Sequence, residues 1–232
     1  MSIERLLALL WQYRGVFLSG IWVTVQLAVL SMILAIVSGL VICLGSLARH
    51  AIIRVPAVVC VEFCRNTPIL VQLVWVHFAW PFIFGIKFTA YMSSVIALAL
   101  QSSGYLAEEY RAGIESIEKG QIEAAQSLGM TYTYLMRRIV IPQAVMRMLP
   151  GILNQFVTCF KSTSIVSIIA VPDLMYHAGL IVSATFLPMQ IYTTVAIMYF
   201  IMVFLVSAAV RRVGRRLPTF GYFQAQRHAT PE

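Results

Sequence analysis

The chain has 232 residues, 60% of them hydrophobic and only 11% charged, with a formal net charge of +8. Soluble domains carry about a quarter charged residues, so this composition excludes a water-soluble globule and describes an integral membrane protein. Cys43, Cys60, Cys64 and Cys159 all fall in apolar stretches, without the paired spacing or accompanying histidines of a metal site, and are expected to serve as packing residues.

No charged side chain lies between Arg14 and Arg49, and about 20 apolar residues already cross a hydrocarbon core as a helix. That stretch predicts a first span at about 17–45. It is too long for a signal-peptide core and ends on Arg49 and Arg54, so the N-terminus is expected to be retained. Further spans are predicted at about 57–79, 88–109, 149–171 and 190–210, giving an all-α fold of five transmembrane helices in a single domain over 1–232. Basic residues near span ends stay in the cytoplasm. With the N-terminus outside, the inside loops collect most of the 17 Lys and Arg residues, while Arg5, Arg14 and Lys87 remain outside. The topology is therefore N-out and C-in, with a cytoplasmic tail over 213–232. The basic surplus marks orientation and contact with anionic head groups rather than nucleic acid.

Ionisable groups at membrane depth are costly and face a cavity or a partner. In the second span, Glu62 and Arg65 stand three residues apart, a spacing that lets them pair. Asn66, Thr67 and Pro68 follow, and the proline frees a carbonyl, which predicts a bend. This group serves either as a gate or contact with another chain, or as a direct solute contact. Gln72 and Gln101 either face the same route or bond between helices. Trp75, Phe78, Trp80 and Phe82 read as an aromatic anchor at the outer interface. Glu108 and Arg111, again three apart, are expected to stabilise the cytoplasmic end of the third span.

The region 111–148 is the largest polar insertion and reads as helices. Gln121 to Leu128 is rich in helix formers, with Gly129 placed for a left-handed C-terminal cap and Thr131 placed to cap a second helix through Tyr134, Leu135 and Met136. Pro142 and Pro150 punctuate the return to the membrane. Ala124 and Ala125 predict a flat surface on which a partner's cleft could close, and Glu123 supplies a charge for orientation. An ordinary amphipathic surface helix is the alternative. In the fourth span, Lys161 with Ser162, Thr163 and Ser164 forms a polar break, at a depth where transported solutes are commonly held. Either Lys161 meets a solute carboxylate that the hydroxyls orient, or it forms a structural ion pair with another chain or snorkels to an interface. Asp173, after Pro172, either touches an external partner or caps a short outer helix.

The run Glu123-Ala124-Ala125, with Gly129 six residues after Glu123 and then Ile141-Pro142, resembles the EAA signature of bacterial ABC importer permeases. Phe63-Cys64-Arg65-Asn66-Thr67-Pro68-Ile69-Leu70-Val71-Gln72-Leu73 is similar to the F-R-G-T-P-L-L-V-Q-L stretch of the polar amino acid permeases, the histidine and glutamine permease family, with Asn66 where that family usually has Gly. Tyr105 to Glu108, Arg111 to Ile114, Asn154 to Phe156 and Lys161 to Ser167 resemble its third and fourth spans, so the resemblance covers about 16–212.

That resemblance implies a type I importer permease that pairs with a second permease chain, identical or homologous, and with two ABC ATPase subunits. An extracytoplasmic solute-binding protein would deliver the amino acid to this permease in the bacterial inner membrane. Glu123, Ala124, Ala125, Gly129, Ile141 and Pro142 would couple to the ATPase. ATP and Mg would be bound by that partner, and no cofactor is expected in this chain, which lacks a G-x-x-x-x-G-K-S/T loop. The rivals are a permease for another small solute, such as an opine or compatible solute, and a gradient-driven carrier or channel. A membrane enzyme ranks last, since no nucleophile, metal ligands or acid–base pair cluster in a span.

Overall fold

The computed structural model describes residues 11–215, with side chains through Arg212, so Arg5 and the predicted tail over 213–232 lie outside the described side chains. The described chain is helical throughout: α1 (Arg14–Ser46), α2 (Ala51–Asn66), α3 (Ile69–Val74), α4 (Trp80–Phe84), α5 (Ala90–Glu115), α6 (Lys119–Ser127), α7 (Tyr132–Leu135), α8 (Ile141–Ser162), α9 (Leu174–Thr185) and α10 (Pro188–Arg215). Two π-turns, Trp75–Ala79 and Met136–Val140, lead into α4 and α8. Both have the same cause. Each is followed by one large apolar residue and a proline, Trp80-Pro81 and Ile141-Pro142. Proline offers no N–H to the carbonyl four residues back. The turn ahead of it widens, so that Trp80 N donates to Trp75 O and Ile141 N to Met136 O.

α1 and α5 pack along most of their lengths, and α2 and α8 lie against α5. Their shared core holds Met32, Ala35 and Cys43 of α1, Val61 of α2, Leu106 and Tyr110 of α5, and Ala144 and Met148 of α8. The close α2–α5 approach depends on Gly104, where a Cβ would lie 2.7 Å from the Cβ of Cys64. Gly104→Ala is therefore expected to push the helices apart and lower the melting temperature of the purified chain, with an overpacking cost of about 1–3 kcal/mol. An unchanged melting curve would show that the contact yields freely.

Among the described residues, three helical stretches are long and apolar enough to cross a bilayer: Arg14–Ser46, Tyr132–Ile169 and Pro188–Arg212. The pair Ala51–Asn66 and Ile69–Phe84 makes a fourth if taken as one span, bent by 110°. The predicted third span corresponds to α5, which has the length but carries Gln101, Ser102, Ser103, Glu108, Glu109 and Arg111 along it. Within the predicted loop 111–148 lie the end of α5, then α6, α7, a π-turn and the first turns of α8. The second half of that region is thus continuous with the fourth span. Beyond α8 the helix tightens to a 3-10 segment, Thr163–Ile169, turns at left-handed Ala170 (φ 60°), and restarts as α9.

Candidate functional site

The loop between α5 and α8 builds its own small core. Ala125 of α6 is 2% exposed and packs with Ile117, Leu135 and Val140. It therefore faces inward, and the exposed surface here comes from Glu123, Ala124, Gln126 and Leu128 instead. Leu128 is 79% and Tyr132 71% exposed, a pair of large apolar side chains left uncovered. Gly129 ends α6 with φ 76°, the left-handed backbone expected of it. Thr131 occupies the N-cap position of α7 without a side-chain hydrogen bond. The loop is fixed to the span that follows: Gln143 Nε2 donates to Gln121 Oε1 at 2.8 Å, and Arg147 donates to the Ser116 carbonyl. At its entrance Arg111 bridges Glu108 and Glu115, as the spacing of the first pair predicts. Ile141 and Pro142 are exposed at the start of α8.

In the second span the expected Glu62–Arg65 pair does not form. Asn66, one turn after Glu62, donates Nδ2 to Glu62 Oε2 at 2.6 Å, so the residue that departs from the family pattern takes the carboxylate. Arg65 turns toward α5, its guanidinium 5.7 Å from the Tyr105 ring centroid, and Tyr105 Oη donates to the Arg65 carbonyl at 3.3 Å. The bend expected at Pro68 is present. Its freed carbonyls are claimed by Gln72, which is 2% exposed and donates Nε2 to Cys64 O at 2.9 Å and to Thr67 O at 3.1 Å. Gln72 thus closes the break rather than lining a route. Thr67 is half-buried at the bend itself. Gln101 is half-buried on α5, with no hydrogen bond to it among the described residues.

In the fourth span Lys161 is exposed and makes no ion pair among the described residues. It lines a cavity of about 650 Å³ with Ser164, Tyr192, Tyr199 and Phe200. The hydroxyls after it bond back to carbonyls of their own helix. Ser162 donates to Thr158 O, Thr163 to Phe160 O at 2.8 Å, and Ser164 to Lys161 O at 3.1 Å. Thr163 is fully buried, which removes it from any solute-facing surface. Such back-bonding bends helices, and here it accompanies the passage from α-helix to 3-10. Asp173 resolves to the second of its two readings: it caps α9, accepting from Tyr176 N at 2.8 Å.

Residues 31–218 match the family described as the binding-protein-dependent transport system inner membrane component. The chain belongs to that family. Its relatives include a glutamine transport system permease, GlnP, of Rickettsia typhi, 34% identical over 203 residues, which covers 86% of this chain and 92% of that one. An amino-acid ABC transporter permease, YckA, of Bacillus subtilis is 38% identical over 182 residues, 78% of this chain and 80% of the relative. Among solved structures, an amino acid ABC transporter crystallised with histidines superposes with a TM-score of 0.87 at 36% identity, covering 94% of this chain and all of that one. The MetNI methionine ABC transporter, at 19% identity and a TM-score of 0.73, shares the fold.

As an ABC importer permease, the chain is a multi-pass component of an inner membrane, and its family works with ATPase and binding-protein partners. Several residues of this permease escape sequence reasoning. Leu128 and Tyr132 look like helix filler until α6 and α7 turn them outward. Gln143 is one of many polar residues near a span end, and nothing in the sequence assigns it to Gln121. Tyr199 lies in an unbroken apolar run, where its phenol gives no hint of a cavity wall. For Leu128 alone a signal exists: a large apolar residue beside a capping glycine in an otherwise polar loop.

Proposed function

We propose that this permease forms the transmembrane pathway of an ATP-driven importer for a polar amino acid or a close derivative. It would cross the membrane five times, N-terminus outside and C-terminus in the cytoplasm, in a complex with a second permease chain, two ATPase subunits and an extracytoplasmic binding protein. ATP and Mg would be bound by the ATPase, leaving this chain without catalytic groups. The observation that carries the reading is a single helical stretch, Tyr132–Ile169, with the docking loop bonded to one end and Lys161 near the other. A push on Glu123, Ala124, Leu128 and Gly129 passes through the Gln121–Gln143 bond and the loop core into that rod. The ATPase would thereby bias one of two arrangements of the pathway, which is what coupling requires.

On this reading Lys161 meets the solute carboxylate, with Ser164 and Tyr199 beside it. Glu62, Arg65, Asn66 and Thr67 form a gate at the bend, and Gln101 lines the route between. The relatives' names support an amino acid as cargo. The test is uptake of 20 labelled L-amino acids, an opine and a compatible solute into proteoliposomes holding this chain, its partner permease, the ATPase and the binding protein. Accumulation of an amino acid that needs internal ATP is expected. Accumulation driven by an ion gradient without ATP would replace the reading with a carrier.

A further inference from the structure

The helix of the fourth span breaks just after Ile169, and the break is held by one buried carboxylate. Between the 3-10 segment and α9 the chain passes through left-handed Ala170, a conformation unfavourable for a residue with a Cβ. The junction sits against the first third of α1. Leu174 N lies 3.4 Å from Thr24 Oγ1, and a Cβ on Gly20 would fall 2.8 Å from Leu174 Cα. Asp173 is 0% exposed, and both its oxygens are used. Oδ1 takes the Tyr176 N–H at 2.8 Å, while Oδ2 accepts from the Tyr199 hydroxyl of α10 at 3.2 Å. Tyr199 in turn forms the wall of the 650 Å³ cavity shared with Lys161 and Ser164. A helix cap alone needs one oxygen, which Ser, Thr or Asn supplies as well as Asp. The second oxygen reaches another helix.

We infer that Asp173 is a positioning residue: through the Tyr199 hydroxyl it pins α10 to the broken fourth span and sets the shape of the cavity in which Lys161 would hold the solute carboxylate. The inference rests on the solute reading of Lys161. Two variants separate positioning from capping. Tyr199→Phe keeps the ring and removes the donor. Asp173→Ser keeps an acceptor for the Tyr176 N–H but is too short to reach Tyr199.

The measurement is direct binding, in nanodiscs, to the assembled complex of this chain, its partner permease and the ATPase. The probe is the labelled amino acid that the wild-type transporter accumulates from an equimolar mixture of the 20 L-amino acids, and both Kd and the number of sites are read. Each variant is expected to raise Kd about five- to tenfold with the number of sites unchanged, in line with one hydrogen bond to a charged group. The double variant should bind no more weakly than either single one, because both remove the same link. A wild-type Kd in either assembled variant, whatever the number of sites, overturns the inference. If Tyr199→Phe fails to assemble, Asp173→Ser decides by the same two results, and failure of both to assemble overturns it in favour of a purely structural role. Lys161→Met run in parallel tells the two readings apart. Wild-type binding there removes the cavity itself, whereas lost binding there beside a wild-type Kd in Tyr199→Phe removes only the positioning role.

Discussion

Replacing Lys161 with methionine is expected to abolish transport while leaving the permease inserted and bound to its ATPase. Methionine keeps the length and most of the apolar stem, so the packing around α8 survives, and no ion pair is lost among the described residues. What disappears is the one cationic group lining the cavity bordered by Ser164, Tyr192, Tyr199 and Phe200. Removing one partner of a charge pair that the bound solute closes off from water costs about 3–5 kcal/mol, or about two to four orders of magnitude in affinity. Uptake per assembled complex, measured in proteoliposomes, is the check. Normal uptake would exclude Lys161 as a solute ligand. Loss of assembly would instead establish the structural alternative, an ion pair with another chain.

The second large effect is expected at the loop surface. Leu128→Asp should leave the permease folded and inserted but abolish co-purification of the ATPase. The side chain is 79% exposed and lies outside the loop's core, so its replacement costs the isolated chain little. At the centre of a docked surface a large apolar residue is worth about 2 kcal/mol or more, and a buried unpaired carboxylate adds to the loss. Gly129→Asp should act in the same direction with an added backbone cost, since φ is 76° there and no atom lies within 4 Å to obstruct a Cβ. Ala125→Asp should behave differently. It buries a charge among Ile117, Leu135 and Val140, so the loop itself unfolds, and limited proteolysis between α5 and α8 should accelerate. Equal co-purification in Leu128→Asp and wild type would place the docking surface elsewhere.

The contrast between Ala124 and Ala125 shows how far the sequence can be read. The helical class, the apolar spans, the left-handed Gly129 and the Glu108–Arg111 pair all follow from composition, spacing or backbone chemistry, because each depends on residues within a turn or two of one another. Which of two adjacent alanines faces the partner depends on Leu135 and Val140, ten or more positions away. Gln72 was equally hidden. Its amide is a pathway candidate in sequence and a cap for Cys64 and Thr67 carbonyls in the fold, and only the 110° bend decides between them. Glu62 and Arg65 have the right spacing to pair, yet Asn66 competes at the better position. Sequence spacing names possible partners; the packing of α5 against α2 selects among them.

The same bend constrains how the protein is made. α2 has 16 residues, and a helix of that length rises only about 24 Å, short of the roughly 30 Å of a hydrocarbon core. The stretch Ile69–Phe84 beyond it is equally short. Neither half can partition into lipid as a complete spanning segment, and the carbonyls at their junction are satisfied only once Gln72 has folded back onto them. The two halves therefore cross only as a unit, with α2 seated against Gly104 of α5. The helix against which α2 packs follows it in the chain, so the close contact at Gly104 can form only after α5 has been synthesised.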